Sequence, residues 1–348
     1  MKEKKQKDPG KKKTARIVVG SIFGVFALFV LTVVMITVIG NKALIKRAKS
    51  YDPAVIENQL VPEKDENGYW TFTTDRDLKV MQLTDIHIGG GWLSLKQDAQ
   101  ALNAVATMIQ TEKPDLVVVT GDMAFPVFFK AGTFNNLLSA KEFAALMERL
   151  GVYWTVAFGN HDSEIYSYYS REKVADFYGS PEFKYCLFQK GPDDVDGYGN
   201  QIINVKNSKG LLTQSIYIFD SHSYTDGDYF GIMWKYDNIH DNQIEWYRDN
   251  VNLMNKQNNA RLKALGMPED SDVKSIAFLH VPLPEQRTAW YEYMANGFKD
   301  TEDVKYVYGK AGEGKKIIYC GQRQDNLFKT MQELGSTDGI FYGHDHDN

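Results

Sequence analysis

The sequence predicts an α/β layered domain carried behind one membrane-spanning helix. From Trp70 onward strand-like and helix-like apolar patterns alternate, which points to layered α/β packing rather than to separate all-α and all-β parts. Ahead of them lies an uncharged run of 23 residues, Ile17 to Ile39. A third observation locates the chemistry: Asp, Asn and His residues gather at the ends of the predicted strands.

Taken in order, residues 1–16 read as a basic cytoplasmic tail and 17–39 as the transmembrane helix. At about 1.5 Å per residue the run spans roughly 35 Å, enough for a bilayer core of about 30 Å. Eight basic residues precede it and four follow closely, so the positive-inside bias puts the N-terminus in the cytoplasm and the body outside. A cleaved signal peptide, with an apolar stretch of usually 7–15 residues ending at a small-residue site, fits less well. Residues 40–69 read as a polar linker, Pro53 and Pro62 interrupting any long helix, and 70–348 as one domain.

Within that domain, strands are expected at 78–83, 115–120, 152–158, 215–220, 275–280 and 339–343, and helices near 94–112, 137–150, 241–256 and 323–333. Charge narrows the function further. The net charge of −5 conceals a segment 1–50 with 12 basic and 2 acidic residues, leaving 28 basic against 43 acidic in 51–348. A body at −15 argues against nucleic acid as a partner, because such binding relies on basic contacts to phosphates. Two cysteines, Cys186 and Cys320, are too few for a disulfide scaffold or a Cys-based zinc site.

Five polar blocks follow predicted strands: Asp85-Ile86-His87, Gly121-Asp122, Gly159-Asn160-His161-Asp162, Leu279-His280 and Gly343-His344-Asp345-His346. In open α/β sheets the carboxyl ends of the strands surround the binding crevice, so these blocks are expected to converge. Besides His161 they offer oxygens from Asp85, Asp122 and Asn160 and imidazoles from His87, His280, His344 and His346. Such a mixed set suits Zn, Mn or Fe better than Ca or Mg. Seven ligands exceed one ion, so two are expected, about 3.5–4 Å apart, with one bridging ligand and a shared hydroxide as nucleophile toward phosphorus.

In this order and spacing the blocks resemble the calcineurin-like metallophosphoesterases, over residues 77–348. The resemblance implies a sandwich of two mixed β-sheets flanked by helices and a phosphate-ester substrate. It implies one metal held by Asp85, His87, Asp122 and His346 and a second by Asp122, Asn160, His280 and His344, with Asp122 bridging. His161 would contact the phosphate and assist the leaving oxygen, and Asp162 would orient its imidazole. Such proteins continue after Gly-His-x-His into further strands, so C-terminal strands are expected to be missing here. The stretches 196–205, 215–224 and 278–285 are similar to the small purple-acid-phosphatase-like branch. True purple enzymes place a metal-binding Tyr where this chain has Phe125, which points away from a coloured tyrosinate-iron centre; plain packing is the expectation for that ring. The activity implied is hydrolysis of a phosphate monoester, with a diester on a nucleotide, lipid or envelope intermediate second and a non-catalytic binding module third. His222 and His240, outside the blocks, are expected at the surface or behind the ligands.

Overall fold

The computed structural model describes residues 9–225, 227–228, 230–269, 272–309 and 317–346. The chain opens with a 40-residue helix, α1 (Pro9–Ala48), followed by β1 (Glu63–Lys64), β2 (Trp70–Thr73) and β3 (Val80–Leu83). Next come α2 (Leu95–Glu112), β4 (Leu116–Thr120), the short α3 (Phe128–Ala131), α4 (Asn136–Leu150) and β5 (Tyr153–Ala157). The remainder is α5 (Arg171–Tyr178), β6 (Gln201–Lys206), β7 (Leu212–Ile218), α6 (Asp241–Ala264), β8 (Ser275–Phe278), α7 (Pro284–Ala295), α8 (Leu327–Leu334) and β9 (Thr337–Phe341).

These strands form the two sheets expected. The larger, ordered β1-β2-β6-β7-β8-β9, is mixed: β6 and β7 pair antiparallel while β7, β8 and β9 run parallel. The smaller, β3-β4-β5, differs from the expectation of a second mixed sheet, since both of its pairings are parallel. The reason lies in the connections: α2 returns the chain from β3 to β4, and α3 and α4 return it from β4 to β5, and such crossovers make parallel neighbours. Leu116, Val118 and Ala157 of the small sheet pack against Ile203, Ile216 and Phe278 of the large one, so the inner faces share one core. Each outer face is covered by helices, α2 and α4 over the small sheet and α6 and α8 over the large one. The sandwich brings the carboxyl ends of β3, β4 and β5 beside those of β8 and β9. Gln82 links the sheets near that edge, its amide donating to Thr120 Oγ1 and to Tyr342 O, both at 2.8 Å.

Of the linker expected over residues 40–69, the first part is helical. α1 continues through it to Ala48, burying Asn41, Leu44 and Ala48 against α2 and α4. Beyond the helix the chain stays attached, Ala54 N–H donating to Leu150 O and the Gln59 amide to Gly151 O. Cys186 and Cys320 are both free.

Candidate metal centre

Each block begins where a strand ends, and the backbone there is unusual. Asp85, His87, Asp122 and His344 all adopt positive φ, 51°, 55°, 48° and 76°. Left-handed backbone is disfavoured for non-glycine residues and accumulates at functional sites, where surrounding structure holds it in place. Neighbouring glycines permit the close approach this requires. A Cβ on Gly159 would stand 2.2 Å from Asp122 Oδ1, and one on Gly121 would stand 2.5 Å from His280 Nδ1.

All seven candidate ligands come together, in two groups that meet at Asp122. Near the mouth, His346 Nε2 lies 3.2 Å and His87 Nε2 3.8 Å from Asp85 Oδ1, and His87 Nε2 is 3.7 Å from Asp122 Oδ2. Deeper in, His280 Nε2 is 3.2 Å from both Asp122 Oδ2 and Asn160 Oδ1, and His344 Nδ1 is 3.3 Å from His280 Nε2. Asp85-His87-His346 and Asp122-His280-His344 each gather their donor atoms within 4.8 Å. The side chain of His346 is 46% exposed while that of His280 is fully buried, so approach is from the first group's side.

The donor chemistry fits metal ions. His280 Nδ1 donates to Thr120 O at 2.7 Å, an outer hydrogen bond of the kind that aims the other imidazole nitrogen at a metal. Its Nε2 faces two oxygens, those of Asp122 and Asn160. Burial works against a charge on the ring, but Asp122's charge and hydrogen bond prevail and raise the His280 pKa to about 9. Burial and the charge of His280 push His344 down to about 3. Its Nε2, like His87 Nε2, is buried and makes no hydrogen bond among the described residues. Burial opposes ionisation of Asp122, yet the charges of His280 and His161 hold it well below the ordinary carboxylate range. A buried carboxylate beside imidazole nitrogens that lack partners is a set that a cation would complete.

His161 stands beside this cluster, its Nε2 4.0 Å from Asp122 Oδ2 and its backbone N–H donating to Asp122 Oδ1 at 2.7 Å. The partner of its imidazole is Glu164, whose Oε1 lies 2.7 Å from Nδ1. This corrects the expectation for Asp162, which faces backbone instead. Its carboxylate accepts from the N–H groups of Asp122 (3.0 Å), Gly159 (2.8 Å) and Ala124 (2.8 Å). Asp162 therefore clamps two strand-end loops together, and burial with the charge of Asp122 raises its pKa to about 6. Tyr224 was also missed. Its hydroxyl donates to Glu164 Oε1 (3.1 Å) and accepts from Asn160 Nδ2 (2.9 Å), which leaves the Asn160 oxygen turned to His280. Glu164, three residues after His161, was the one signal available.

Phe125 is also more than packing. Its ring stacks on His87 with centroids 4.6 Å apart and meets His161 edge-on at 4.5 Å. Asp220 pairs with Arg171, which donates to Gly159 O at 2.7 Å and so braces the third block from behind. His222 and His240 stack on each other at 4.0 Å, His240 lying 2.7 Å from Asp196. The triple glycine 89–91 is a clamped turn: Gly89 and Gly90 donate to Asp98, and Gly90 O accepts from Asn41.

The family model for calcineurin-like phosphoesterases matches residues 78–348. Among curated proteins, the chain is 28% identical over 298 residues to a probable inactive purple acid phosphatase 14 of Arabidopsis thaliana, covering 80% of this chain and 67% of that protein. It is 25% identical over 313 residues to a probable inactive purple acid phosphatase 28 of the same plant, covering 84% and 71%. It is also 28% identical over 296 residues to phosphatase DCR2 of Saccharomyces cerevisiae, covering 79% of this chain and 45% of that protein.

Proposed function

Since the chain belongs to the calcineurin-like phosphoesterase family, we propose that it is a membrane-anchored hydrolase of phosphate monoesters, working at two metal ions. The observation that carries this reading is Asp122 set between two carboxylate-imidazole groups, with His161 beside it. Asp85, His87, Asp122 and His346 would hold one ion, and Asp122, Asn160, His280 and His344 the other. Ions bound there would supply Lewis acidity toward phosphoryl oxygens and acidify water to near neutral pH. Mn, Fe or Zn suits the donor set.

The protein's own part falls to His161. Glu164 accepts from Nδ1 and fixes the ring, and although burial opposes charge, Asp122 and Glu164 raise its pKa. An imidazolium held near neutral pH keeps a proton on Nε2 for the departing alkoxide, general-acid catalysis worth typically 10²–10⁴-fold. The anchor would run from a cytoplasmic N-terminus, leaving residues 70–348 outside; one helix, from Arg16 to Ala48, is long and apolar enough to cross. A diester substrate is the alternative, and p-nitrophenyl phosphate against its bis-ester decides between them.

A binding module without turnover is the second reading, favoured by the word inactive in two relatives' names. Against it stands the full set of ligands together with His161. The test is turnover of p-nitrophenyl phosphate after chelation and after return of Mn, Fe or Zn. Asp122→Asn is expected to abolish activity and sharply lower metal content, whereas His161→Ala abolishes activity with metal retained. Metal bound in full without turnover of either ester selects the binding module.

A further inference from the structure

We propose that the rim of this site beside α1 lies within the bilayer surface, so that the substrate is a phosphate ester of a membrane lipid; this rests on the phosphoesterase reading and on α1 as a membrane span. A bilayer core needs about 20 apolar residues in a helix. The uncharged run has 23, but from Phe29 onward one face of it is turned to the domain while the others stay exposed. Phe29 already meets Trp92 edge-to-face at 6.4 Å, Val33 and Thr37 on the same helix face are partly covered, and Asn41 donates to Gly90 O at 2.8 Å. Residues 17–28 alone would span about 18 Å, well short of roughly 30 Å. The hydrocarbon must therefore extend along α1 past Phe29, and Trp92 enters with it.

What stands level with Trp92 is apolar and exposed. Leu93 N–H donates to Ala131 O at 3.1 Å, and a Cβ on Gly132 would stand 2.3 Å from the Trp92 ring, so α3 is locked to this loop. α3 presents Phe129 at 87% exposure and Phe128 at 46%, and Leu93 beside them is 41% exposed. Phe128 stacks on Phe134, which continues to Tyr166 and to the exposed Tyr168, an aromatic series of the kind that settles at a membrane interface. The same short helix reaches the metal centre. Lys130 Nζ sits 5.4 Å over the Phe125 ring, which stacks on His87, and a cavity of about 420 Å³ opens between His87, Ser94, Phe125 and Lys130. A phosphate at the centre would have its alcohol leave past Phe125 and Lys130 toward Phe128 and Phe129, into lipid.

The test uses the full chain, with phosphatidic acid in phosphatidylcholine vesicles as lipid probe and p-nitrophenyl phosphate in detergent as soluble probe. The double variant F128S/F129S is expected to lose at least 10-fold on phosphatidic acid and to keep p-nitrophenyl phosphate turnover within twofold, which also shows that it folds. Turnover of the soluble ester without phosphatidic acid hydrolysis, or with equal rates for wild type and variant on vesicles, overturns the proposal while the phosphoesterase reading stands. Inactivity of the wild type on both probes overturns that reading and the lipid substrate with it. A variant that changes only the oligomeric state assigns the patch to a second copy of the chain and overturns the proposal.

Discussion

Glu164 holds His161 by a single contact, 2.7 Å from carboxylate to Nδ1, and Tyr224 steadies it from the other side. Replacing it by Gln keeps the shape and removes the charge. The imidazolium then loses one of the two anions that raise its pKa, so less of it is protonated near neutral pH. For Glu164→Gln we expect kcat at pH 8 to fall roughly 10–100-fold, and the basic limb of the pH profile to move to lower pH. Metal content is expected to be unchanged, because Glu164 touches neither group of ligands; metal loss like that of Asp122→Asn would remove it from this role. That the candidate ligands would gather was legible in sequence, because each lies just past a strand end and carries an oxygen or imidazole donor. Glu164 and Tyr224 were not, since sequence spacing says nothing of the direction in which a loop side chain turns. Asp162 shows the converse: adjacency to His161 suggested a partner, yet its position brought it three backbone N–H groups instead.

Among the elements, α2 and α4 pack with a buried acid between them. Glu142 of α4 is fully buried, neither of its carboxylate oxygens has a hydrogen-bond partner among the described residues, and burial with the charge of Asp98 raises its pKa to about 9. Below about pH 4.5 both folded and unfolded states hold this proton, and folding loses nothing. From there up to about pH 9 the unfolded chain releases a proton that the folded one keeps, so stability falls as pH rises. Glu142→Gln removes that dependence. Its thermal midpoint should exceed the wild type's by roughly 2–6 °C at pH 8 and match it near pH 4.5, read by thermal unfolding in detergent. A midpoint difference that is the same at both pH values would locate the effect in packing rather than in the proton. Elements were legible where apolar runs were unbroken: β4 is Leu-Val-Val-Val-Thr and fully buried. β6 was passed over because Gln201 and Asn204 interrupt its run, although both are buried and bonded, Gln201 to Thr155 and Asn204 to Ser215. The docked end of α1 escaped for a related reason. Lys42, Lys46, Arg47 and Lys49 made it read as a polar stalk, while Asn41, Leu44 and Ala48, spaced three and four apart, lie on the face that packs.

At the scale of the whole molecule, if α1 is the membrane span proposed above, its continuity means that the height of the domain relative to the bilayer is set by helix length rather than by a tether. The docked end, Asn41 to Ala48, is fixed to α2 and α4, and the apolar run continues from it without a break. On that proposal, an insertion between Ile39 and Gly40 displaces the bilayer relative to the site by a calculable amount. Seven helical residues add about 10 Å and about 700° of turn, so the same helix face still meets the domain. If the seven are polar, the bilayer cannot follow, and Trp92, Phe128 and Phe129 are lifted out of it. If the seven are leucine and alanine, the apolar run lengthens with the helix, which can slide or tilt to keep the rim immersed. Both inserted chains should hydrolyse p-nitrophenyl phosphate in detergent like the wild type, because the proposed ligands lie between residues 85 and 346 and are untouched. On phosphatidic acid in vesicles the polar insertion should lose at least fivefold and the apolar one less than twofold. Equal rates on vesicles for the two would mean that the site reaches its substrate from water, and that the anchor only concentrates the enzyme at the surface.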